Sequence, residues 1–377
     1  MKPKGTRWLQ ALAILACIGS APLLAAPSSR VKQTIRDWRE RQTKYDAATW
    51  AISGQSMVAK GYLSTFPGIP PDSGEVPSED RLSEKQVRLV LDLAKNKVRK
   101  ETRREIFDPS GPKFYPAFDV ELYDGQETQL FRPRVENTSS DMHPDKYWTD
   151  LEIETEFYQQ VFFQYYEYPL LFAHGIFPSR EEPLRPARMR RLIDEMLFVE
   201  HGVAGPAEAP YLVLRTRPLS DDVDDFYEVW TDPNHQSAVV RWAWIREGQE
   251  QIVIEVQNDS AVPAMPESWT AARYGIDRVV FQWDRLRVDD FTPSPSIDQG
   301  VFHIDPTPGM IVRDGTTRRH YRAAQPGQQE ISFEQLMAED MAQPVSTRAW
   351  LIVVASVALI VLLCWRLGRT PRRPVGA

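Results

Sequence analysis

The densest chemistry in this chain is aromatic. Phe157, Tyr158, Phe162, Phe163, Tyr165, Tyr166, Tyr168, Phe172 and Phe177 crowd into one short stretch with hardly a β-branched residue among them. Such rings offer large, stiff apolar surface, suited to a packed core or to the wall of a pocket for an acyl chain. Phe157, Val161 and Tyr165 share the spacing of one helix face, as core residues do. A second apolar face follows in Met189, Leu192, Ile193, Met196 and Leu197, where flexible methionines serve a core or an adaptable lid. The candidate ligand-binding residues are accordingly Phe157, Val161, Phe162, Tyr165, Tyr166, Phe172, Met189 and Met196.

The other reactive groups do not assemble. Asp221, Asp222, Asp224 and Asp225 form an acidic run, but the glycine-bearing spacing of a calcium loop is missing, so a solvated loop is expected. Arg99, Lys100, Arg103 and Arg104 are expected to decorate an exposed strand face. The 6 histidines stand singly, without the i, i+4 pair of a zinc protease helix. There is no Gly-x-Ser-x-Gly elbow and no phosphate-binding glycine loop. With no acid, base and nucleophile in one pattern, the expectation is a binding protein, not an enzyme, with no cofactor and no metal.

These residues need elements to hold them. Arg30–Lys44 carries Val31, Ile35 and Trp38 at helical spacing, which predicts an amphipathic helix. Tyr45–Tyr62 reads as a strand, and a loop rich in Pro, Gly and Ser follows from Pro67 to Asp80. Gln86–Ala94 alternates cleanly, with Val87, Leu89, Leu91 and Leu93 on one side. Lys97–Phe107 is mostly polar and is expected at an exposed or edge position. Ala117–Tyr123 places Phe118, Val120 and Leu122 on one face, and Asp124-Gly125 is a hairpin signal leading into Gln126–Arg132. Pro186–His201 is predicted helical, with Gly202 as its C-cap.

From Tyr211 the chain reads as a meander: Tyr211–Arg217, Phe226–Thr231, Ala238–Arg246, Gln249–Gln257, Glu267–Tyr274 and Arg278–Arg287, separated by turn residues. Short connections force antiparallel pairing. Val301–Asp305, Met310–Val312 and Arg319–Ala323 close the body, and a polar stalk with one short helix after Ser332 follows. The fold class is therefore α+β: a large curved antiparallel sheet, or half-open barrel, wrapping helices.

The two ends address the chain. Lys2, Lys4 and Arg7 precede an apolar stretch from Trp8 to Leu24 that closes on Ala25-Ala26, the pattern of a cleaved secretory signal over residues 1–26. Ala349–Trp365 is free of charge and flanked by Arg348, Arg366, Arg369, Arg372 and Arg373. About 17 residues rise roughly 26 Å, enough to span a bilayer when the flanking arginines snorkel. The expected organisation is a signal (1–26), an exported domain (27–324), a stalk (325–348), a transmembrane helix (349–366) and a cytoplasmic tail (367–377), the last by the positive-inside rule. That places a single-pass protein in a bacterial inner membrane with its body in the periplasm.

The formal charge of the whole chain is −7, and the cations of signal and tail account for seven positive charges, leaving −14 on the exported part. Such a body has no general affinity for nucleic acid. The 2 cysteines, Cys17 and Cys364, lie in the two apolar segments, so the exported part has no disulfide. Ile14-Leu15-Ala16-Cys17 resembles a lipoprotein-processing box, although the apolar run continues beyond it to Leu24.

Within the meander, Tyr227-Glu228-Val229-Trp230-Thr231-Asp232-Pro233, with Ala238-Val239-Val240-Arg241-Trp242 as hairpin partner, resembles a strand-turn of the LolA-like superfamily of periplasmic lipoprotein carriers, which includes RseB-like regulators. Glu267-Ser268-Trp269-Thr270 and Phe302-His303-Ile304-Asp305-Pro306-Thr307-Pro308-Gly309-Met310 resemble membrane-anchored bacterial members. The resemblance covers residues 30–323 and implies a curved sheet around an apolar cavity that carries acyl chains or senses lipid. It implies a tethered lipid or lipoprotein acyl-chain binder. The alternative is an envelope-stress sensor or scaffold that contacts a membrane protein partner through the Lys97–Phe107 edge by strand addition. A chain ending at Ser346 should leave the membrane pellet for the soluble extracytoplasmic fraction on ultracentrifugation, and mass spectrometry of the mature chain should find Pro27 at its N-terminus.

Overall fold

The structure is a computed structural model that describes residues 27–65, 75–108, 113–132, 149–154, 164–177, 197–216, 224–262, 264–275, 278–332 and 334–335. The described residues divide between two compact units, one drawn from the chain up to Ile304 and the other from Thr149–Ile153 and the chain after Asp305.

The first unit opens with α1 (Ser29–Lys44), where the Ser28 side chain accepts from Val31 N as the N-cap. Its apolar stripe, Val31, Ile35 and Trp38, is fully buried. The strands that follow are β1 (Ala47–Val58), β2 (Arg81–Asp92), β3 (Lys97–Asp108), β4 (Lys113–Tyr123) and β5 (Thr128–Phe131). Helix α2 (Tyr168–Ala173) is followed by β7 (Phe198–Ala204), β8 (Tyr211–Thr216), β9 (Asp225–Asp232) and β10 (Ala238–Arg246). Then come β11 (Gln249–Asn258), β12 (Pro266–Tyr274) and β13 (Val280–Pro293). Among the described residues their order is β5-β4-β3-β2-β1-β13-β12-β11-β10-β9-β8-β7. Every described pairing between them is antiparallel, and within the meander from β7 to β13 short turns join the partners.

The sheet curls. Strands β2 and β8 stand seven positions apart in that order, a separation of roughly 34 Å in a flat sheet. Yet Leu89 and Leu91 of β2 join Leu212 and Leu214 of β8 in one core with α1 and α2. A twisted sheet of this width closes around what it covers, and here it covers two helices. Helix α1 is fastened inside: Trp38 Nε1 donates to Ser237 O at 2.8 Å, Arg41 Nη2 to the same carbonyl at 3.1 Å, and Gln42 Nε2 to Gly175 O at 2.8 Å.

The meander lies where its turn chemistry puts it, each strand within a few residues of the predicted bounds. Two expectations change, and the face shared by Val120 and Leu122 takes an outward direction that the sequence left open. Strand β3 is not at an edge, because it pairs with β2 on one side and β4 on the other. Of the predicted helix 186–201, residues 186–196 lie outside the described residues, while Phe198–Ala204 is strand. Its β-branched Val199 and Val203 alternate with Glu200 and Gly202, and pairing with β8 decides the conformation. Gly202 is accordingly no C-cap but part of a register irregularity in that pair. Finally, Val120 and Leu122 point away from the helices. They are buried because the 3₁₀ turn Gln299–Phe302 folds over the outer side of the sheet, where Arg99 Nη1 donates to Val301 O at 2.8 Å and Gln129 Oε1 accepts from Ile304 N at 2.8 Å.

In the second unit β6 (Leu151–Glu154) runs parallel to β14 (Ile311–Asp314), which pairs antiparallel with β15 (Arg319–Arg322), itself paired with β16 (Ile331–Ser332). Ile331-Ser332, expected within the stalk (325–348), is thus part of a sheet. The expected signal (1–26) and the expected transmembrane segment (349–366) lie outside the described residues, and no helix among the described residues is long and apolar enough to cross a membrane.

Gly175 shows how tightly α2 docks on α1. Its φ is +65°, and an added Cβ would stand 2.0 Å from Trp38 O. Gly175→Ala should therefore lower the unfolding free energy from denaturant titration by more than the about 1–2 kcal/mol of left-handed strain alone. Gly248→Ala, at φ +71° with nothing within 4 Å, should cost only that strain.

Candidate functional site

The inner face of the first unit's sheet has an apolar part and a charged part. The apolar part is built of rings. Trp38 stacks on Phe177 at 5.0 Å, Phe177 on Phe172 at 5.0 Å, and Tyr168 meets Trp242 edge-on at 5.3 Å. Trp50 and Trp269 complete it from β1 and β12. Helix α2, with Pro169 in its first turn, lies across this surface and buries Leu170, Leu171 and Phe172.

The charged part is built by register. Leu89 pairs with Lys100 and Val87 with Thr102, so the period of two that faces Val87 and Leu89 inward also turns Lys100 and Arg104 inward. Lys100 in turn opposes Glu121, and Thr102 opposes Asp119. Lys85 Nζ lies 3.0 Å from Asp284 Oδ1 and 2.9 Å from the centre of the Tyr166 ring. Lys100 Nζ lies 2.7 Å from Glu121 and 3.4 Å from Glu167. Arg104 Nη2 lies 3.2 Å from Asp119 Oδ2. Ser56 Oγ donates to Asp284, whose other oxygen is 3.5 Å from Tyr165 OH. Lys85, Lys100, Glu167 and Asp284 are each at most 3% exposed.

Burial dominates the electrostatics here. It lowers Lys85 to about 8 against the opposing pull of Asp284 and Glu167. It raises Glu167 above the usual carboxylate range although Lys100 and Lys85 oppose it. The phenols of Tyr165 and Tyr166 are raised by the same cause, Asp284 adding to the first and Glu167 to the second.

The structure places three of the predicted ligand residues on this face. Tyr165 packs against Tyr166 at 5.6 Å. Tyr166 is buried, and its carbonyl accepts from Trp269 Nε1 at 2.6 Å. Phe172 is buried between Tyr168 and Phe177. Phe157, Val161, Phe162, Met189 and Met196 lie outside the described residues. The basic strip is corrected: Lys100 is buried and Arg104 half-buried, while Arg103 remains exposed. Sequence reasoning missed Lys85, Glu121, Glu167 and Asp284. The available signal was β3's alternation of Lys100, Thr102 and Arg104, paired against the apolar side of β2. Of the acidic run, Asp221 and Asp222 lie outside the described residues, and Asp225 is buried, accepting from Trp244 Nε1. No group of acidic, histidine or cysteine side chains among the described residues could hold a metal ion.

His174, at the C-terminus of α2, is fully buried between Tyr45 and Trp50, with ring centres 6.1 and 5.9 Å away, and neither ring nitrogen has a hydrogen-bond partner. Burial, aided by Arg41, lowers it to about 4.

No family model matches the chain, and no curated protein matches it. Among solved structures, a LolA-superfamily protein of Nitrosomonas europaea aligns at 11% identity over 74% of this chain and 99% of its own, with a TM-score of 0.35. A Vibrio parahaemolyticus domain described as outer-membrane lipoprotein-sorting aligns at 10% identity over 72% and 95%, TM-score 0.34. A DUF1329-family protein of Desulfovibrio piger aligns at 8% over 73% and 98%, TM-score 0.33. At such scores the likeness bears on neither ligand nor role.

Two outcomes test this geometry. Lys85→Met should destabilise by about 3–5 kcal/mol in denaturant titrations because Asp284 is left buried without its cation, and Lys85→Met with Asp284→Leu should recover much of the loss. For His174, the unfolded side chain takes a proton below pH 6.5 and the folded one only near 4. Stability should then fall as pH drops through that window, by about 3 kcal/mol, and His174→Phe should remove this component from the pH profile.

Proposed function

We propose that the first unit is a binding module that holds the apolar chain of a lipid or of a lipoprotein acyl group against the inner face of its sheet, under the segment that carries Tyr165 to Phe177. The observation that carries this reading is the aromatic inner surface, where Trp38, Trp50, Trp242 and Trp269 are met by the short segment from Tyr166 to Phe177, of which only 6 residues are α-helical. In the ligand-free form the rings pack on one another, and a chain enters as α2 lifts from them. Each buried methylene contributes about 0.8 kcal/mol, so a dozen can replace the contacts α2 gives up. The resemblance of the meander to lipoprotein carriers supports the same reading, as does the lack of an assembled acid, base and nucleophile in the sequence. Binding, not catalysis, is the role proposed.

The same reading places the body outside the cytoplasm of a bacterial cell, tethered to the inner membrane by residues 349–366. A sensor or scaffold working through β3 has no support, since both sides of that strand are paired.

Bromine atoms quench nearby indoles, so the test is a titration of the delipidated full-length chain in amphipol with a brominated fatty acid. Saturable quenching is expected, together with at least a tenfold weaker midpoint in Phe172→Ala, about the worth of the ring contacts removed. Absence of saturable quenching overturns the proposal.

A further inference from the structure

Resting on the module proposed above, we infer that the charged part of the inner face is the seat of an anionic headgroup, carboxylate or phosphate, and that Glu167 occupies that seat until the ligand displaces it. The ligand class is therefore an anionic amphiphile: its chain lies on the rings and its head on Lys85, Lys100 and Arg104.

The placement of charge is the first support. Replacing buried ion pairs with apolar residues of similar volume is often stabilising, so packing gives a sheet no reason to place Lys85, Lys100, Arg104, Asp119, Glu121 and Asp284 on one inner face. They come from the adjacent strands β4, β3 and β2 and, across β1, from β13, and they form one cluster beside the aromatic surface. An amphiphile needs that adjacency, an apolar groove continuous with a donor-rich end.

The quality of the contacts is the second. Each cation has a sheet acid of its own: Asp284 for Lys85 at 3.0 Å, Glu121 for Lys100 at 2.7 Å, Asp119 for Arg104 at 3.2 Å. With Glu167 withdrawn, the sheet side of the cluster is neutral and still rich in N–H donors, among them Arg104 Nε, which is buried and has no partner. Glu167 is the loose member. Its carboxylate meets Lys100 Nζ only at 3.4 Å: Oε1 is ion-paired there without a hydrogen bond, and Oε2 accepts from Lys100 at that length as well as from its own turn at Gln164 N at 2.8 Å. Burial raises its carboxyl above the usual range, so the charged form is held there at a cost. A ligand anion with two or three oxygens offers more acceptors to the same donors than Glu167 does, and its arrival frees Tyr165–Glu167 together with α2, which follows without a break.

The test compares a fatty acid, a lysophosphatidic acid and the neutral fatty alcohol of equal chain length, each displacing a bound fluorescent probe from full-length protein in amphipol. Wild-type protein should prefer the anions to the alcohol by about tenfold, as a charge-assisted pair predicts. Glu167→Gln keeps the size and the Gln164 contact, and should widen that ratio about tenfold. Lys100→Met with Glu167→Gln, which removes one charge of each sign, should bring it close to one. Preference for only one anion identifies the headgroup as carboxylate or phosphate and supports the inference. Equal binding of anions and alcohol in all three proteins overturns it while leaving chain binding intact. Failure of every amphiphile to bind overturns both.

Discussion

Trp38, Arg41 and Gln42 lie within little more than a turn of α1, and each donates to a backbone carbonyl distant in sequence. Ser237 and Gly175 sit at bends, where no strand or helix neighbour satisfies their carbonyls. A buried carbonyl left without a donor costs as much as a lost hydrogen bond. Helix α1 therefore fixes both the β9–β10 turn and the end of α2 from one side. The curl of the sheet, the position of α2 and the meeting of rings on the inner face all depend on this arrangement.

Within that enclosure the sheet makes an unusual choice. The apolar part is stabilised as any core is, by rings and aliphatic side chains removed from water. The charged part lies on the same face, yet it must compensate the desolvation of Lys85, Lys100, Asp284 and Glu167 by mutual pairing. Core packing alone accounts for the first and not for the second. A module that receives a molecule with two chemically different ends accounts for both, which is why charge and rings are best treated as one site.

The segment that covers this site is held by contacts of unequal strength. Gly175 against Trp38 O and the Tyr166 carbonyl with Trp269 are close and specific. Glu167 is held by Lys100 only at 3.4 Å, and both ring nitrogens of His174 are buried without a hydrogen bond, which weakens the hold at both ends of α2. Buried polar groups without hydrogen bonds lower the stability of the packed arrangement, so displacing this segment costs less than its apolar burial alone would suggest.

Much of the scaffold was legible in residue order. Val31, Ile35 and Trp38 fix the buried stripe of α1, and Asp232-Pro233 and Glu247-Gly248 fix turns, because helix periodicity and turn chemistry are local. The inward face of β2 followed from its alternation for the same reason. Val199 and Val203 are different: whether they extend or coil depends on the presence of β8. Likewise Lys100 is an ordinary polar strand residue until register sets it between Leu89 and Glu121. Asp284 and Glu167 meet Lys85 and Lys100 across 199 and 67 residues of chain. The sequence alone determined α1, the strands of the meander with their antiparallel succession, and the greasy character of much of the interior, since these depend on neighbours along the chain. Only the tertiary structure decided which charges are removed from water and paired, because curl and register bring distant strands to one face, and no local pattern encodes that meeting.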